Sequence, residues 1–234
     1  MLGMRVLMCP PAYYGIEYEI NPWMRCSRPS NYLLAQEQWR ALYHLLYDRL
    51  QVDVSLIEPR PGLPDMVFTA NAGFVWQNKF IVSNFRHDVR RGEAAYFKSW
   101  FAGKNYEIFD LPEQNHFEGE GDLLLCADVL FAGYPIRSST ISHHEIGEIT
   151  QRQVVSLKLT SDWFYHLDTC FCPLEGGFLM YYPPALDDES RAQVWRITRE
   201  QVAGILVDNA IAVIEGHRPP NIYNPEIYKN SAES

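Results

Sequence analysis

The stretch Ser161–Pro173, S-D-W-F-Y-H-L-D-T-C-F-C-P, places a histidine and an aspartate two residues apart among apolar and aromatic neighbours. We expect this stretch to be a β-strand, in which side chains two positions apart point to the same face. His166 and Asp168 would then project together, while Leu167 would be buried on the other face. Such a pair suits acid–base chemistry, although an isolated pair of this kind is more often structural. The rest of the chain decides between the two interpretations.

Outward from this stretch, the chain repeats a pattern of strand, strand, helix and strand. Each predicted strand pair surrounds a turn, and the turns fall near residues 78, 128 and 176, a period of about 50 residues. The predicted strand pairs are Met66–Phe85, Phe117–Tyr134 and Phe164–Tyr182. The predicted helices are Arg90–Phe101, Ser139–Ile149 and Asp187–Val202, with return strands at Tyr106–Phe109, Val154–Leu159 and Ala210–Ile214. Units of this kind bury their faces against neighbouring units, so the pattern predicts an α/β fold closed into a ring of blades.

The N-terminal part of the chain reads differently. Strands are predicted at Arg5–Cys9 and Val52–Ile57, with an irregular aromatic loop at Tyr13–Met24 lying over the fold and carrying Asn21. Asn31 is suited to cap a helix that runs to about Leu50. The apolar positions of this helix recur near helical spacing and are expected to be core residues: Leu34, Trp39, Leu42, Leu45, Leu46 and Leu50.

The composition limits the classes of protein that this chain can belong to. Its 234 residues are 47% hydrophobic and 14% aromatic, which is enough for one sizeable domain and unlike a disordered chain. The net charge of −9 and the absence of a basic stretch argue against nucleic acid as the main partner and are compatible with a cationic ligand. The start of the sequence does not read as a signal peptide and no apolar run is long enough to span a bilayer, so we expect a cytoplasmic protein that does not bind membranes.

Five cysteines are present, at positions 9, 26, 126, 170 and 172, and none shows the paired spacing of a zinc site. On a strand, Cys170 and Cys172 would share one face near His166, which leaves a metal cluster open as an alternative. Reduced and partly buried thiols are the favoured interpretation, so no metal and no cofactor are predicted.

The repeat also aligns polar residues. Glu118 lies ten residues before the turn at 128, and His166 lies ten before the turn at 176, so the two occupy matching places in successive units. Matching places in a closed ring converge on its axis, where Asp65, Asn71 and Asp122 lie near the same level. Acidic residues at strand ends can also be solvated rim residues, but the matched positions favour a functional site.

Carboxylates around one histidine suit a planar cation, because a guanidinium group presents donors in a fork that carboxylates match. A histidine beside carboxylates can be held protonated and act as a general acid. Attack on the guanidinium carbon also needs a nucleophile, for which a cysteine thiolate is best suited.

At this point the chain resembles the guanidino-group-modifying superfamily, also called the amidinotransferase or pentein superfamily. The resemblance covers about residues 1–195 and rests on four motifs: P-D-M-V-F-T-A-N at Pro64–Asn71, N-F-R at Asn84–Arg86, F-E-G-E-G-D at Phe117–Asp122 and H-L-D-T at His166–Thr169. It implies an α/β-propeller with fivefold pseudosymmetry. It also implies an activity on guanidines, because members of the superfamily include arginine deiminases, dimethylarginine dimethylaminohydrolases, arginine dihydrolases and glycine amidinotransferases.

The resemblance implies roles for individual residues. Glu118 would contact the guanidinium group and His166 would be the general acid and base, so both are predicted to be catalytic. Asp168 resembles a second carboxylate for the guanidinium group, and Arg86 resembles the arginine that binds the α-carboxylate of the substrate. Asn21, Asp65 and Asn71 complete the predicted substrate-binding residues.

Asn71 stands where deiminases and dimethylaminohydrolases have an acid. An asparagine at this position is most similar to the arginine dihydrolase branch. Dihydrolases convert arginine to ornithine, ammonia and carbon dioxide, and the loss of one carboxylate is a hypothesis for why a second hydrolysis proceeds. Two alternatives remain open: a non-catalytic protein that binds a guanidine, and an amidinotransferase with a different acceptor. The same fold serves ribosome anti-association factors, but those lack the carboxylates and the histidine.

The chain departs from the family pattern at its C-terminal end. The family's nucleophilic cysteine follows a further blade, whereas the last cysteine here is Cys172 and the resemblance fades from about Arg196. We therefore predict a propeller domain at residues 1–195, and a divergent segment at 196–234 that belongs to an incomplete, truncated last blade. Open strand edges in such a ring would favour self-association into a homo-oligomer. Without the thiolate, no turnover by this chain alone is expected.

Overall fold

The computed structural model describes residues 5–198 of the chain. This part begins with two parallel strands, β1 (Arg5–Met8) and β2 (Asp53–Leu56), which helix α1 (Tyr32–His44) connects. The side chain of Asn31 accepts a hydrogen bond from the backbone N–H of Leu34, so the predicted helix cap is confirmed. A π-helical turn at Leu45–Arg49 continues α1 toward β2.

The surface of α1 differs from the prediction. None of its residues is buried within the described part of the chain, and Leu34, Leu42 and Leu45 are all exposed. The expectation that these positions form core was therefore wrong for the residues described. Aromatic side chains stack along one side of α1 and the π-helical turn instead: Trp39 on Tyr43 at 5.6 Å, and Tyr43 on Tyr47 at 5.5 Å between ring centroids.

Two units of one topology follow. Strands β3 (Gly73–Trp76) and β4 (Lys79–Val82) form an antiparallel hairpin, helix α2 (Asp88–Ala102) follows, and β5 (Glu107–Phe109) returns parallel to β4. The second unit repeats this with β6 (Leu123–Cys126), β7 (Val129–Tyr134), α3 (Thr140–Thr150) and β8 (Val154–Lys158). A third hairpin, β9 (Phe171–Pro173) and β10 (Leu179–Tyr181), is followed by helical residues 188–198.

The register of the first two hairpins confirms the repeat. Trp76 pairs with Lys79 at one tip and Cys126 pairs with Val129 at the next, an offset of 50 residues (126 − 76 and 129 − 79). The first residue of each tip has a positive φ, 56° at Gln77 and 51° at Ala127. Two-residue tips with left-handed backbone match the twist of a hairpin, which explains why both tips are short.

The first strand of each hairpin begins later than predicted, because a 3₁₀ turn precedes it. These turns are Thr69–Ala72, Gly119–Gly121 and Leu167–Thr169. His166 and Asp168 are therefore not on a strand, and that prediction was wrong. Polar side chains bond to nearby backbone here, as the Thr169 hydroxyl does with the carbonyl of His166 at 2.6 Å, and such local bonds favour turns over strands. Alternating polarity alone could not reveal them.

The sheets pack into three buried clusters that together give a mixed α/β fold. One centres on Phe131 and Phe171, one on Phe80 and Phe97, and one on Leu123 and Ile146. No helix within residues 5–198 is both long and apolar enough to cross a bilayer. The predicted strand Ala210–Ile214, the end of the predicted helix near Val202 and nearly all of segment 196–234 lie outside the described residues.

Candidate active site

The residue just before each of the three 3₁₀ turns occupies a matching place: Phe68, Glu118 and His166. The turns pack on one another in series, the first on the second and the second on the third. Glu118 and His166 are thereby brought together, with Oε2 of Glu118 3.4 Å from Nε2 of His166. The alignment of these two residues from the repeat is thus reproduced by the backbone.

A cavity of about 530 Å³ opens beside the turns. Five of the residues predicted to form the site line it, namely Asn21, Asp65, Asn71, His166 and Asp168. Glu118 lies behind them with no exposed surface. Arg86 differs: its side chain is exposed and is not part of the lining, although its backbone N–H donates to Oε1 of Glu118 at 3.2 Å.

Residues 13–26, which we call the covering loop, form one wall of this cavity through side chains such as Ile20, Asn21 and Met24. The predicted irregular loop over the fold is therefore confirmed. Near its end, the indole N–H of Trp23 donates to the carbonyl of Trp163 at 3.1 Å, and the two rings meet edge to face at 4.9 Å. The loop thus touches the segment that precedes His166.

Glu118 forms a buried ion pair with Arg137. Nη1 of Arg137 donates to its Oε2 at 2.8 Å, with both side chains buried. Burial alone would raise the pKa of Glu118, but Arg137 first, then His166 and Arg90, outweigh it and lower the pKa below its usual value. Glu118 is therefore held as a carboxylate.

His166 lies between two carboxylates. Its Nδ1 is 3.2 Å from Oδ1 of Asp122, near enough for an ion pair but not aligned for a hydrogen bond, and its Nε2 faces Glu118. Asp122 is itself fixed, because it accepts from the Ser138 hydroxyl at 2.6 Å and from the backbone N–H of Leu167 at 3.2 Å. A histidine flanked by carboxylates beside a cavity is suited to general acid–base chemistry.

Asn71 has a fixed orientation. Nη1 of Arg90 donates to its Oδ1 at 3.1 Å, and because arginine has no acceptor, the amide nitrogen must face the other way. That nitrogen lies 3.5 Å from Nε2 of His166. Gly121 makes room for this arrangement, since a Cβ at that position would lie 2.3 Å from the amide nitrogen of Asn71.

Arg90 is buried and anchored by a bidentate pair with Glu93, through Nε and Nη2, each at 2.9 Å. Burial raises the pKa of both Glu93 and Asp65, against the lowering effect of Arg90. The side chain of Asp168 is exposed to the cavity that it lines, where the surrounding protein partly shields it from bulk water. Removal from bulk water raises its pKa to about 6, with Asp122 adding to the effect and His166 opposing it.

Arg90 and Arg137, both buried at the cavity, were missed by the sequence reasoning. A signal for Arg137 was present, because it lies in the connection between a hairpin and its helix, as Arg86 does one unit earlier. Arg90 lies on α2 within a helical pattern that looked ordinary. Its buried partner Glu93, three residues later, was the available clue.

No cysteine lines the cavity, although all five lie within the described residues. Burial raises the pKa of Cys9 and Cys170 to about 12, which makes both inert as nucleophiles. Cys170 is buried while Cys172 is exposed on β9, so the expectation that they share a face was wrong. No group of residues suited to hold a metal occurs between residues 5 and 198.

Fold and cavity together define a class: a repeated α/β protein with a histidine between carboxylates at the meeting point of its units. The chain belongs to the N,N dimethylarginine dimethylhydrolase family, whose eukaryotic model matches residues 21–215. It is 44% identical over 212 residues to AgrE of Nostoc sp., a bifunctional arginine dihydrolase/ornithine cyclodeaminase, covering 89% of this chain and 30% of AgrE. It is 39% identical to the N(G),N(G)-dimethylarginine dimethylaminohydrolase of Mycobacterium tuberculosis, covering 91% of this chain and 68% of that protein.

Solved structures agree with this assignment. The N-terminal domain of the cyanobacterial arginine dihydrolase ArgZ, bound to product, matches with a TM-score of 0.78 and 44% identity, covering 82% of this chain and 71% of that one. Unliganded AgrE matches with a TM-score of 0.79 and 45% identity, covering 82% of this chain and 28% of AgrE. The pentein branch named from the motifs is thus confirmed, and the chain spans under a third of the length of AgrE.

Proposed function

We propose that the cavity binds the guanidinium group of arginine or a related guanidine, and that the site belongs to the hydrolysis of that group to ornithine or citrulline plus ammonia. The observation that carries the proposal is His166 held between Glu118 and Asp122 beside a cavity lined by Asp65 and Asp168. A planar cation can meet such carboxylates through paired hydrogen bonds. The activities for which AgrE, ArgZ and the mycobacterial relative are named support the same chemistry.

In this proposal His166 is the general acid and base. A thiolate adds to the guanidinium carbon, and the leaving ammonia takes its proton from His166. Water, activated by the same ring, then adds to the same carbon, and the carbon–sulfur bond breaks to release citrulline and return the thiolate. Glu118 stabilises the cationic ring and the charge of the substrate, while Asp168 and Asp65 hold the guanidinium group. Asn21 borders the same space from the covering loop.

For the α-carboxylate of an amino acid substrate, the resemblance proposed Arg86. Its side chain is exposed outside the cavity lining, whereas Arg90 and Arg137 do line the cavity. We therefore propose these two arginines as the cations available to a ligand carboxylate.

The dihydrolase branch is proposed from Asn71. With its oxygen bound to Arg90, the residue presents an amide nitrogen, not a carboxylate oxygen, to Nε2 of His166. An aspartate there would add a third carboxylate beside the ring. The amide adds no such charge, and we propose that this difference is what allows a second hydrolysis of the bound intermediate.

The nucleophile is proposed to be absent from this chain, because no cysteine reaches the cavity. The chain by itself is then a guanidine-binding protein without turnover, which keeps the non-catalytic binder as a second candidate. An amidinotransferase is less favoured, since the dihydrolase relatives support water as the acceptor. The fivefold ring is likewise a proposal, and the shared topology of the first two complete units supports it.

Isothermal titration calorimetry with arginine, combined with an ammonia assay, tests the proposal. We expect binding to the purified chain without ammonia release. Asp168→Asn should weaken binding by about tenfold, as expected for the loss of one charge-assisted hydrogen bond. Asp128→Asn, at an exposed hairpin tip, is the matched control and should bind as the parent does. No binding of arginine or methylated arginines would refute the proposed ligand, and ammonia well above background would refute the missing nucleophile.

A further inference from the structure

Arg137 joins three separate parts of the molecule. It lies between β7 and α3 with only 1% of its side chain exposed. Nη1 donates to Oε2 of Glu118 at 2.8 Å, Nη2 donates to the backbone carbonyl of Ile20 at 2.9 Å, and the guanidinium carbon lies 4.8 Å from the ring centroid of Tyr165. One planar group therefore touches the proposed catalytic carboxylate, the covering loop and the segment before His166.

The contact with Ile20 is part-buried and is made by an almost fully enclosed guanidinium group, whereas the covering loop is also attached by the ring of Tyr14, 5.8 Å from that of Phe68, and by the contact of Trp23 with Trp163. The rings of Trp23 and Trp163 are 64% and 52% exposed, so water competes for their contact. Further along the loop, Oε1 of Glu19 accepts the backbone N–H of Cys26 at 2.8 Å, a bond within the loop itself. A charge-assisted hydrogen bond to Ile20, made by a buried guanidinium group, is worth more than either of these exposed contacts.

The direction in which Arg137 points is set by Glu118. A guanidinium group is rigid and planar, so binding Nη1 to a fixed carboxylate also fixes where Nη2 points. If Glu118 loses its charge, Nη1 loses its ionic partner and nothing in that pair holds Nη2 toward Ile20. If the loop leaves, Arg137 loses one of the contacts that hold it against Glu118. Two contacts that share one rigid group are coupled, and the coupling works in both directions.

We propose that Arg137 is a positioning residue that couples closure of the covering loop over the cavity to the negative charge of Glu118. The loop is held down when Glu118 is an anion paired with Arg137, and it is released when that charge is removed. This coupling does not depend on turnover and is tested without a ligand, so it can hold even if the proposed function fails.

Limited digestion with trypsin measures loop opening directly. The bond between Arg25 and Cys26, at the end of the covering loop, is exposed but held in the closed loop, because Glu19 pairs with Arg25 at 3.5 Å and accepts the N–H of Cys26; it must come free to enter the protease. Trypsin cleaves poorly after Arg28 because Pro29 follows it. The bond between Lys104 and Asn105 lies in an exposed turn after α2 and serves as an internal reference. Where opening is fast relative to cleavage, the rate at each bond reports the open population.

We expect Arg137→Lys to raise cleavage after Arg25 by about tenfold, as the loss of one buried charge-assisted hydrogen bond implies, because an ammonium group lacks the fork that reaches both partners. Glu118→Gln should raise it to a similar degree, and the double variant should be cleaved no faster than either single variant. Arg152→Gln, which removes an exposed arginine paired with Asp128, is the matched control and should not change the rate.

The reference bond keeps the outcome decisive if a variant is unstable. Equal acceleration at the bonds after Arg25 and Lys104 would mean global unfolding and would overturn the proposal. The proposal would also be overturned if Arg137→Lys were cleaved after Arg25 at a rate within twofold of the parent. It would be overturned too if the accelerations of the two single variants multiplied in the double variant. The coupling is supported if each single variant is cleaved faster after Arg25 but not after Lys104, and if the double variant is cleaved no faster than either single variant.

Discussion

Replacing Gly121 by alanine should separate Asn71 from His166. The added Cβ would lie 2.3 Å from the amide nitrogen of Asn71 and 3.1 Å from Nδ1 of His166. An ordinary carbon–nitrogen contact is about 3.5 Å, so the amide must retreat by roughly 1 Å. A shift of that size breaks the 3.1 Å hydrogen bond from Arg90 and the 3.5 Å contact with His166. Lost hydrogen bonding and overpacking together should lower the free energy of unfolding by about 3 kcal/mol.

Urea denaturation measures the stability change, and ¹⁵N NMR of labelled histidine measures the tautomer of the His166 ring. We expect both to change in Gly121→Ala, and arginine affinity to fall with them. Gly147→Ala is the matched control, because a Cβ there meets its nearest atoms at an ordinary 3.5 Å within helix α3. It should be neutral or slightly stabilising. If Gly121→Ala unfolds at the parent's urea concentration and leaves the ring signals unchanged, the steric argument is refuted.

Three further predictions follow from local geometry. Because the pKa of Asp168 is raised to about 6, its carboxylate forms only as the pH rises through that value. Calorimetry should therefore show arginine affinity falling by about tenfold in total as the pH is lowered through 6, and no such fall in Asp168→Asn. Leu167 is fully buried between His166 and Asp168, so Leu167→Ala should lower the free energy of unfolding, measured with urea, by about 3 kcal/mol. Arginine binding should weaken as well, and unchanged binding would mean that Leu167 does not orient its neighbours. Ala127→Gly should stabilise by about 1 kcal/mol, because φ is 51° at this hairpin tip, whereas Ala95→Gly on α2 should destabilise by a similar amount; equal signs in thermal unfolding would contradict this.

The sequence predicted the repeat, and with it the encounter of Glu118 and His166, because a 50-residue period survives errors in element boundaries. It did not predict that both residues precede 3₁₀ turns. The alternation of polar and apolar residues in H-L-D-T reads as a strand, and only the local hydrogen bond from Thr169 and the left-handed φ of Gly119, 61°, distinguish a turn. Local backbone chemistry overrode the periodic signal there.

The buried arginines show a different limit. Arg137 is 117 residues from Ile20, and no periodicity connects a guanidinium group to a backbone carbonyl at that distance. The apolar face of α1 failed for a related reason. Its pattern correctly predicted a helix, but burial depends on what packs against that face, and within residues 5–198 nothing covers it completely.

The buried charges of the site do not balance. Among residues 5–198, the buried carboxyl groups of the site are Asp65, Glu93, Glu118 and Asp122, and the buried groups there that can carry positive charge are Arg90, Arg137 and His166. An excess of buried negative charge is a standing cost to the folded state, and any cation that fits the cavity should relieve it. Binding of a cation should therefore raise the melting temperature of the protein. We expect a larger rise with arginine or free guanidinium at millimolar concentration than with sodium at equal ionic strength. A neutral analogue such as citrulline should raise the melting temperature less.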